Sequence, residues 1–351
     1  MAGVKQHILP QFLLLGFASR EDKGNSLIWV FRRGVRFESS ISGFGFEKHF
    51  YGSEADEVNA DPVITALEGP YSAIIKELRT LPGASNASNE LVPEIVAHFS
   101  ARTKHLRDSF VESSDELVSM VAERYKDSSV MHDFMRRYYL KRPEKLTEAL
   151  DDALAQMNLP RWQRRITKRK VLGMGKQRLT DYVIKATPDI GLEIFTQFSQ
   201  VRAALPSAVR ASHIKTLAKD LARTPRVDEM KRMSWYVLGV NGLVLGDVAC
   251  LFTSEKKPDY HTYAAKDEGI TGIFLPISSD RLLVGTSAST PPIINVEEFN
   301  LAMTRKSRDY FVSSENSEQM INLQREIGSD SSLLSSDELR EIALSDLPDE
   351  L

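Results

Sequence analysis

The sequence predicts an α+β chain, in which a mainly helical middle from about residue 62 to 232 is enclosed by a small, mostly antiparallel sheet. That sheet is expected to combine an N-terminal strand with strands from residues 235–286. Three observations carry the expectation. Residues 26–33 (SLIWVFRR), bounded by Gly24 and Gly34 and rich in β-branched and aromatic side chains, read as a strand. Between 62 and 232 helix-start signals recur: Ser113 with Glu116 as a capping box, Pro143 at a helix opening, and Thr187-Pro188-Asp189 before a segment reaching Gln200. After Arg232 two apolar runs, 235–240 (WYVLGV) and 243–247 (LVLGD), flank Asn241-Gly242, the dipeptide best suited to the positive φ angles of a two-residue hairpin.

The other elements follow from the same signals. Residues 82–89 (PGASNASN) form a loop, 272–276 and 282–286 a further strand pair, and 296–311 a helix after the loop ending in Pro291-Pro292. From Ser329 onward seven acidic residues face one basic residue, and a short capped helix is expected at 335–344. The expected organisation is one α+β domain over 1–312 and an acidic, partly flexible tail over 313–351.

Composition narrows the function classes. With 351 residues and 42% apolar side chains the chain can bury a substantial core. Its 45 basic and 48 acidic residues nearly cancel, so any nucleic-acid partner must be read from local patches. Cys250 is the single cysteine, which rules out an internal disulfide and fits a reducing, cytoplasmic setting. Residues 8–17 (ILPQFLLLGF) are interrupted by Pro10 and Gln11 and fall short of the roughly 20 apolar residues a membrane span needs. They are expected to form a buried N-terminal element, with no membrane contact.

Four patterns carry candidate chemistry. His7 stands at the mouth of that apolar run, where an imidazole can act as base, acid or metal ligand, although a structural histidine is the commoner outcome. Asp247, Glu255 and Lys257 are spaced like the carboxylates and lysine of a metal-dependent nuclease core, which would call for a divalent cation; an ordinary strand end with a charged loop has the same appearance. His98, Arg102 and His105 recur at helical spacing, so Arg102 could clamp an anion from a shared face. Residues 161–178 hold eight basic and no acidic side chains. There Arg161, Arg164, Arg165, Lys168, Arg169 and Lys170 could neutralise phosphates and Trp162 could stack on a base, a solvated face being the bland alternative.

Several features in fixed order resemble the bacterial domain-of-unknown-function 4238 family: the opening Lys5-Gln6-His7-Ile8-Leu9-Pro10-Gln11-Phe12, a strand at 27–33, the pair Phe50-Tyr51, and Leu67-Glu68 on a helix. Arg102-Thr103, Asp247, Phe274-Leu275-Pro276-Ile277-Ser278 and a helix at 297–300 continue the series, which covers about residues 5–312. Two positions depart from it. Lys104 stands where the family usually has proline, and Gly246-Asp247-Val248-Ala249 where it usually has serine-aspartate-asparagine-proline. The leading expectation is a phosphate-directed enzyme, a nuclease or nucleotide hydrolase. His7 would be base or ligand, Glu68 and Asp247 acids or metal ligands, and Arg102 the anion clamp. The alternative is a non-catalytic module that binds nucleic acid or protein through the basic stripe.

Overall fold

A computed structural model describes residues 5–53, 55–186, 190–219, 224–264 and 268–345, without the side chains of 190–193. The expected helix opening at Thr187-Pro188-Asp189 lies outside the described residues. The chain opens with β1 (Lys5–His7), α1 (Gln11–Leu14), β2 (Arg20–Asp22), β3 (Asn25–Arg32), β4 (Val35–Ser40) and β5 (Phe46–Lys48). The middle holds α2 (Asp61–Thr80), β6 (Ser85–Asn86), α3 (Val92–Ala101), α4 (Lys104–Arg124), α5 (Ser128–Lys141), α6 (Pro143–Gln156), α7 (Arg161–Leu172), α8 (Lys176–Ala186), α9 (Ile190–Leu217) and α10 (Pro225–Met230). It closes with β7 (Ser234–Gly239), β8 (Leu245–Gly246), β9 (Leu251–Ser254), β10 (Ile270–Ser278), β11 (Arg281–Thr286), α11 (Val296–Lys306), β12 (Tyr310–Ser313), α12 (Glu318–Gln324) and α13 (Ser336–Leu344). The class is α+β, and none of the described helices is long and apolar enough to cross a membrane.

The chain divides into two compact units: Met1–Ser113 with Ser207–Leu334, and Ser114–Pro206 with Ser335–Leu351. This division differs from a single domain over 1–312 with a tail. In the first unit β12 is buried throughout and Met320, Leu323 and Ile327 join the main core, so apolar spacing draws residues 310–327 inward. In the second unit α13 carries the expected capping box between Ser335 and Glu338, buries Leu339 and Ala343, and accepts a 2.9 Å bond at Ala343 O from Arg124.

The first unit contains two five-stranded antiparallel sheets, β6-β7-β11-β10-β9 and β2-β3-β12-β8 with β4 added on β3, besides the pair β1-β5. The N-terminal strand therefore does not join β7, β10 and β11, contrary to expectation. β3 pairs with β12 instead, where Phe31 and Phe311 stack at 4.8 Å. That contiguous apolar run also ends the expected 296–311 helix at Lys306, because its side chains are buried on both faces of a short central strand.

The Asn241-Gly242 turn forms, with Gly242 at φ +79°, yet it does not make a hairpin. β7 pairs with β11 while β8 pairs with β12, so the turn carries the chain from one sheet to the other. Asn300 on α11 latches it: its Nδ2 donates to Gly242 O at 2.7 Å, and its Oδ1 accepts from Val244 N at 3.2 Å. The Ser113–Glu116 capping signal is likewise overridden, since both residues lie inside the unbroken α4.

Candidate functional site

The N-terminal strand is fastened from below by two side chains. Gln6 donates from Nε2 to Gly52 O at 3.1 Å and accepts from Tyr51 N at 2.6 Å, which fixes β1 against the Phe50-Tyr51 segment. Arg102 is 1% exposed; its Nε donates to the Tyr51 hydroxyl at 2.9 Å, and its Nη2 donates to His7 O at 2.6 Å and to Glu68 Oε1 at 2.9 Å. The Tyr51 hydroxyl donates in turn to His7 O at 2.8 Å. Three of the four candidate site residues, His7, Glu68 and Arg102, thus meet in one network.

Arg102 occupies the break between two helices. It follows α3, and the Thr103 hydroxyl accepts from Leu106 N at 3.2 Å to start α4. His98, Arg102 and His105 therefore do not share one continuous helical face. His98 is buried beside Tyr71 and burial, then the Arg102 charge, lowers its pKa to about 3. His105 spends Nε2–H on Ser331 O at 3.1 Å. Arg102 pairs with Glu68, lies over the Tyr51 ring and holds the His7 carbonyl, while its Nη1 is buried without a hydrogen-bond partner among the described residues.

His7 itself reaches solvent. Burial holds its pKa below the ordinary 6.5; Glu68 opposes this, while Arg102 and Lys5 reinforce it, so the ring is neutral around pH 7. The Gln11 amide approaches His7 Nε2 at 3.2 Å, and a neutral ring accepts that N–H while keeping its proton on Nδ1. The ring meets Phe46 edge-on at 5.8 Å.

Phe46 lines a cavity of about 540 Å³ whose other walls include the cations Arg32, Arg33, Lys104 and Arg308, the carboxylates Glu47 and Asp309, and Tyr310. Lys104 opens the 21-residue helix α4, so the helix's positive end adds to the side-chain charge. Lys104 is shared between Asp108 and Asp309, and Arg308 makes a two-bond contact with Glu112. Arg32 and Arg33 have no carboxylate partner among the described residues: Arg33 bonds Ile327 O at 2.9 Å, and Arg32 lies within 6 Å of the Phe37, Phe44 and Tyr310 rings.

Asp247 is committed elsewhere. Its carboxylate accepts from the backbone N–H groups of Arg308 at 2.9 Å, Asp309 at 2.6 Å and Tyr310 at 3.3 Å. This supports the cavity wall from behind and ties both oxygens to the 308–310 backbone rather than to Glu255 or Lys257. Lys257 pairs with Glu268 at 3.5 Å, and no group of three metal-ligating side chains occurs among the described residues.

The family model described as Protein of unknown function (DUF4238) matches residues 5–332. The chain belongs to the DUF4238 family. No curated protein and no solved structure matches it. The DUF4238 match runs past residue 312 and takes in α12, in keeping with the burial of that helix. Its Arg102-Thr103 step and Asp247 have physical roles in this chain, as network centre with helix start and as loop anchor.

The basic stripe lies on α7, α8 and the turn between them, in the second unit. Arg164 donates to Leu159 O at 2.8 Å and Lys168 pairs with Asp151 at 2.6 Å, whereas Trp162 is 63% exposed. Arg161, Arg165, Arg169 and Lys170 have no ion pair among the described residues, and Arg165, Ile166 and Arg169 share a helical face with Trp162. Sequence reasoning missed Arg32, Arg33, Lys104 and Arg308. The only local signal was the double arginine ending a strand.

Proposed function

We propose that this chain is a phosphate-directed enzyme of nuclease or nucleotide-hydrolase type, whose ligand anion is held in the cavity lined by Arg32, Arg33, Lys104 and Arg308. The observation that carries this reading is two arginines without carboxylate partners beside a helix N-terminus in one concave space. His7 would take a proton from water or a hydroxyl at Nε2 when Gln11 gives way, and Glu68 would stabilise the resulting imidazolium. Arg102 and Asp247 act as positioning residues.

Calorimetric titration with inorganic phosphate and ATP is expected to show binding that weakens about tenfold or more in Arg32→Ala/Arg33→Ala, the scale of one or two lost charge-assisted bonds. A hydrolysis screen on nucleotides and nucleic acids, run with and without Mg²⁺ and Mn²⁺, should lose activity in His7→Ala while stability changes by about 1 kcal/mol or less. Because the His7 pKa is depressed, the acid limb of the rate profile is expected below pH 6.5. Unchanged binding in the double arginine variant, or unchanged hydrolysis in His7→Ala, would remove this reading.

A second reading is a non-catalytic module that takes nucleic acid on the exposed Trp162, Arg165 and Arg169 face. Single-stranded DNA affinity should then fall steeply from about 50 to 200 mM salt. It should also drop about tenfold when Trp162 is replaced by alanine. A flat salt dependence rules the module out.

A further inference from the structure

We infer that a second cavity in the first unit, separate from the phosphate site, binds an organic anion built on a flat ring. This cavity measures about 450 Å³ and is mainly apolar; its lining includes Phe110, Phe252 and Tyr263 together with Arg107, Arg226 and His213, and no carboxylate among the described residues. Phe252 is buried, while Phe110 and Tyr263, in edge contact at 6.4 Å, are 40% and 42% exposed. Two large aromatic side chains left that open are what a ring-binding mouth offers.

Arg226 decides the charge of the ligand. Its guanidinium lies over the Phe252 and Tyr263 rings at 5.6 and 5.3 Å and donates from Nη2 to Ala264 O at 2.5 Å, and it has no carboxylate partner among the described residues. Burial lowers its pKa, and the nearby Tyr263, Glu229 and Glu268 offset that only in part, so its charge is held in an unfavourable place with no ion pair among the described residues. Arg107, the other cation, leans on the Phe50 ring and reaches Glu47 only at 3.4 Å. A carboxylate or phosphate on the ligand supplies the missing negative charge.

His213 adds a third requirement. Its Nε2 lies 2.7 Å from Ala101 O, a group that can only accept, so Nε2 carries the proton. Burial also lowers the His213 pKa to about 4, leaving the ring neutral and its buried, unpartnered Nδ1 an acceptor. The ligand chemistry is therefore a flat ring bearing an anionic group and a hydrogen-bond donor, in the form of a hydroxylated aromatic carboxylate or a purine nucleoside monophosphate.

Calorimetry on the full chain with 4-hydroxybenzoate, AMP and the neutral analogue 4-hydroxybenzyl alcohol tests this. At least one of the two anions should bind about tenfold or more tightly than the neutral alcohol, and which one does so identifies the source. Arg226→Gln should remove that preference. Tyr263→Ala, at a partly exposed position and safe for folding, should weaken the same anion about tenfold. Arg32→Ala/Arg33→Ala should leave unchanged the affinity for 4-hydroxybenzoate, and for AMP the binding component that Tyr263→Ala weakens, which separates this cavity from the phosphate site. Equal binding of anion and alcohol, no binding of either anion, or an anion affinity lost with Arg32 and Arg33 and kept in Tyr263→Ala would overturn the inference.

Discussion

Glu68→Gln is expected to lower the unfolding free energy by about 3–5 kcal/mol although Glu68 is partly exposed. An ordinary surface ion pair contributes only about 0–1 kcal/mol. Here the side-chain exposures are 1% for Arg102 and 35% for Glu68, so removing the carboxylate leaves a guanidinium in the interior with only neutral acceptors. Arginine cannot shed its proton to escape that penalty. Arg102→Ala should be similarly destabilising, because the space it fills is lined by the Tyr51 hydroxyl and the His7 carbonyl. Arg102→Met combined with Glu68→Gln should lose much less than the sum of the single effects, since no uncompensated charge remains. Urea denaturation of the four proteins checks this. A Glu68→Gln effect below about 0.5 kcal/mol would mean that the pair behaves as a surface bridge. The same variants should weaken phosphate binding, because Ile8, which lines the cavity, adjoins the carbonyl that Arg102 holds.

Asp247→Ala should also be strongly destabilising, by about 2–4 kcal/mol, because three backbone N–H groups of the 308–310 segment lose their acceptor at once. The pH dependence is more informative. Burial pushes the Asp247 carboxyl up to about 7 from its ordinary 3.8, with the amides of Asp309 and Arg308 pulling the other way. A carboxyl raised in the fold binds its proton more tightly there than in the unfolded chain. Its contribution is fully present below about pH 4 and is lost as pH rises through about 7. Relative to Asp247→Asn, the wild-type chain should therefore lose on the order of 4 kcal/mol between pH 4 and pH 8. If the difference instead grows with pH, the three amides outweigh burial and Asp247 is a fixed anion in the fold.

Features set by a few neighbouring residues were legible in the chain itself. The Ser335–Glu338 capping box, the Pro143 helix start, the β10–β11 pair and the turn at Asn241-Gly242 each depend on contacts within one turn or one pair of adjacent segments. Family membership was legible as well, because it lies in the order of short motifs read over about residues 5–312, within the 5–332 match. Partner choice was a different matter. The turn forms as read, yet β7 and β8 enter different sheets, because their antiparallel neighbours β11 and β12 lie far along the chain, which adjacency in sequence does not reveal. Ser113 and Glu116 carry the same local signal as Ser335 and Glu338, and there the longer helix wins.

The candidate site divides along the same line. His7 and Asp247 stand out as polar residues beside apolar runs, Arg102 by its helical spacing to two histidines and Glu68 through the family resemblance; Arg102 bonds Glu68 and the His7 carbonyl, while Asp247 anchors a separate loop. None of the four side chains lines the phosphate cavity: Asp247 and Arg102 brace segments that do, and the His7 ring lies at its edge against Phe46. The lining cations come from the end of β3, the start of α4 and the approach to β12, with Arg32 and Arg308 lying 276 positions apart. Residue type, turn chemistry and helix ends are local free-energy preferences, and the amino-acid order determined them. Which charges end up facing one cavity follows from the burial of β3 against β12 and of Arg102 against Tyr51, and only the packed core could decide that.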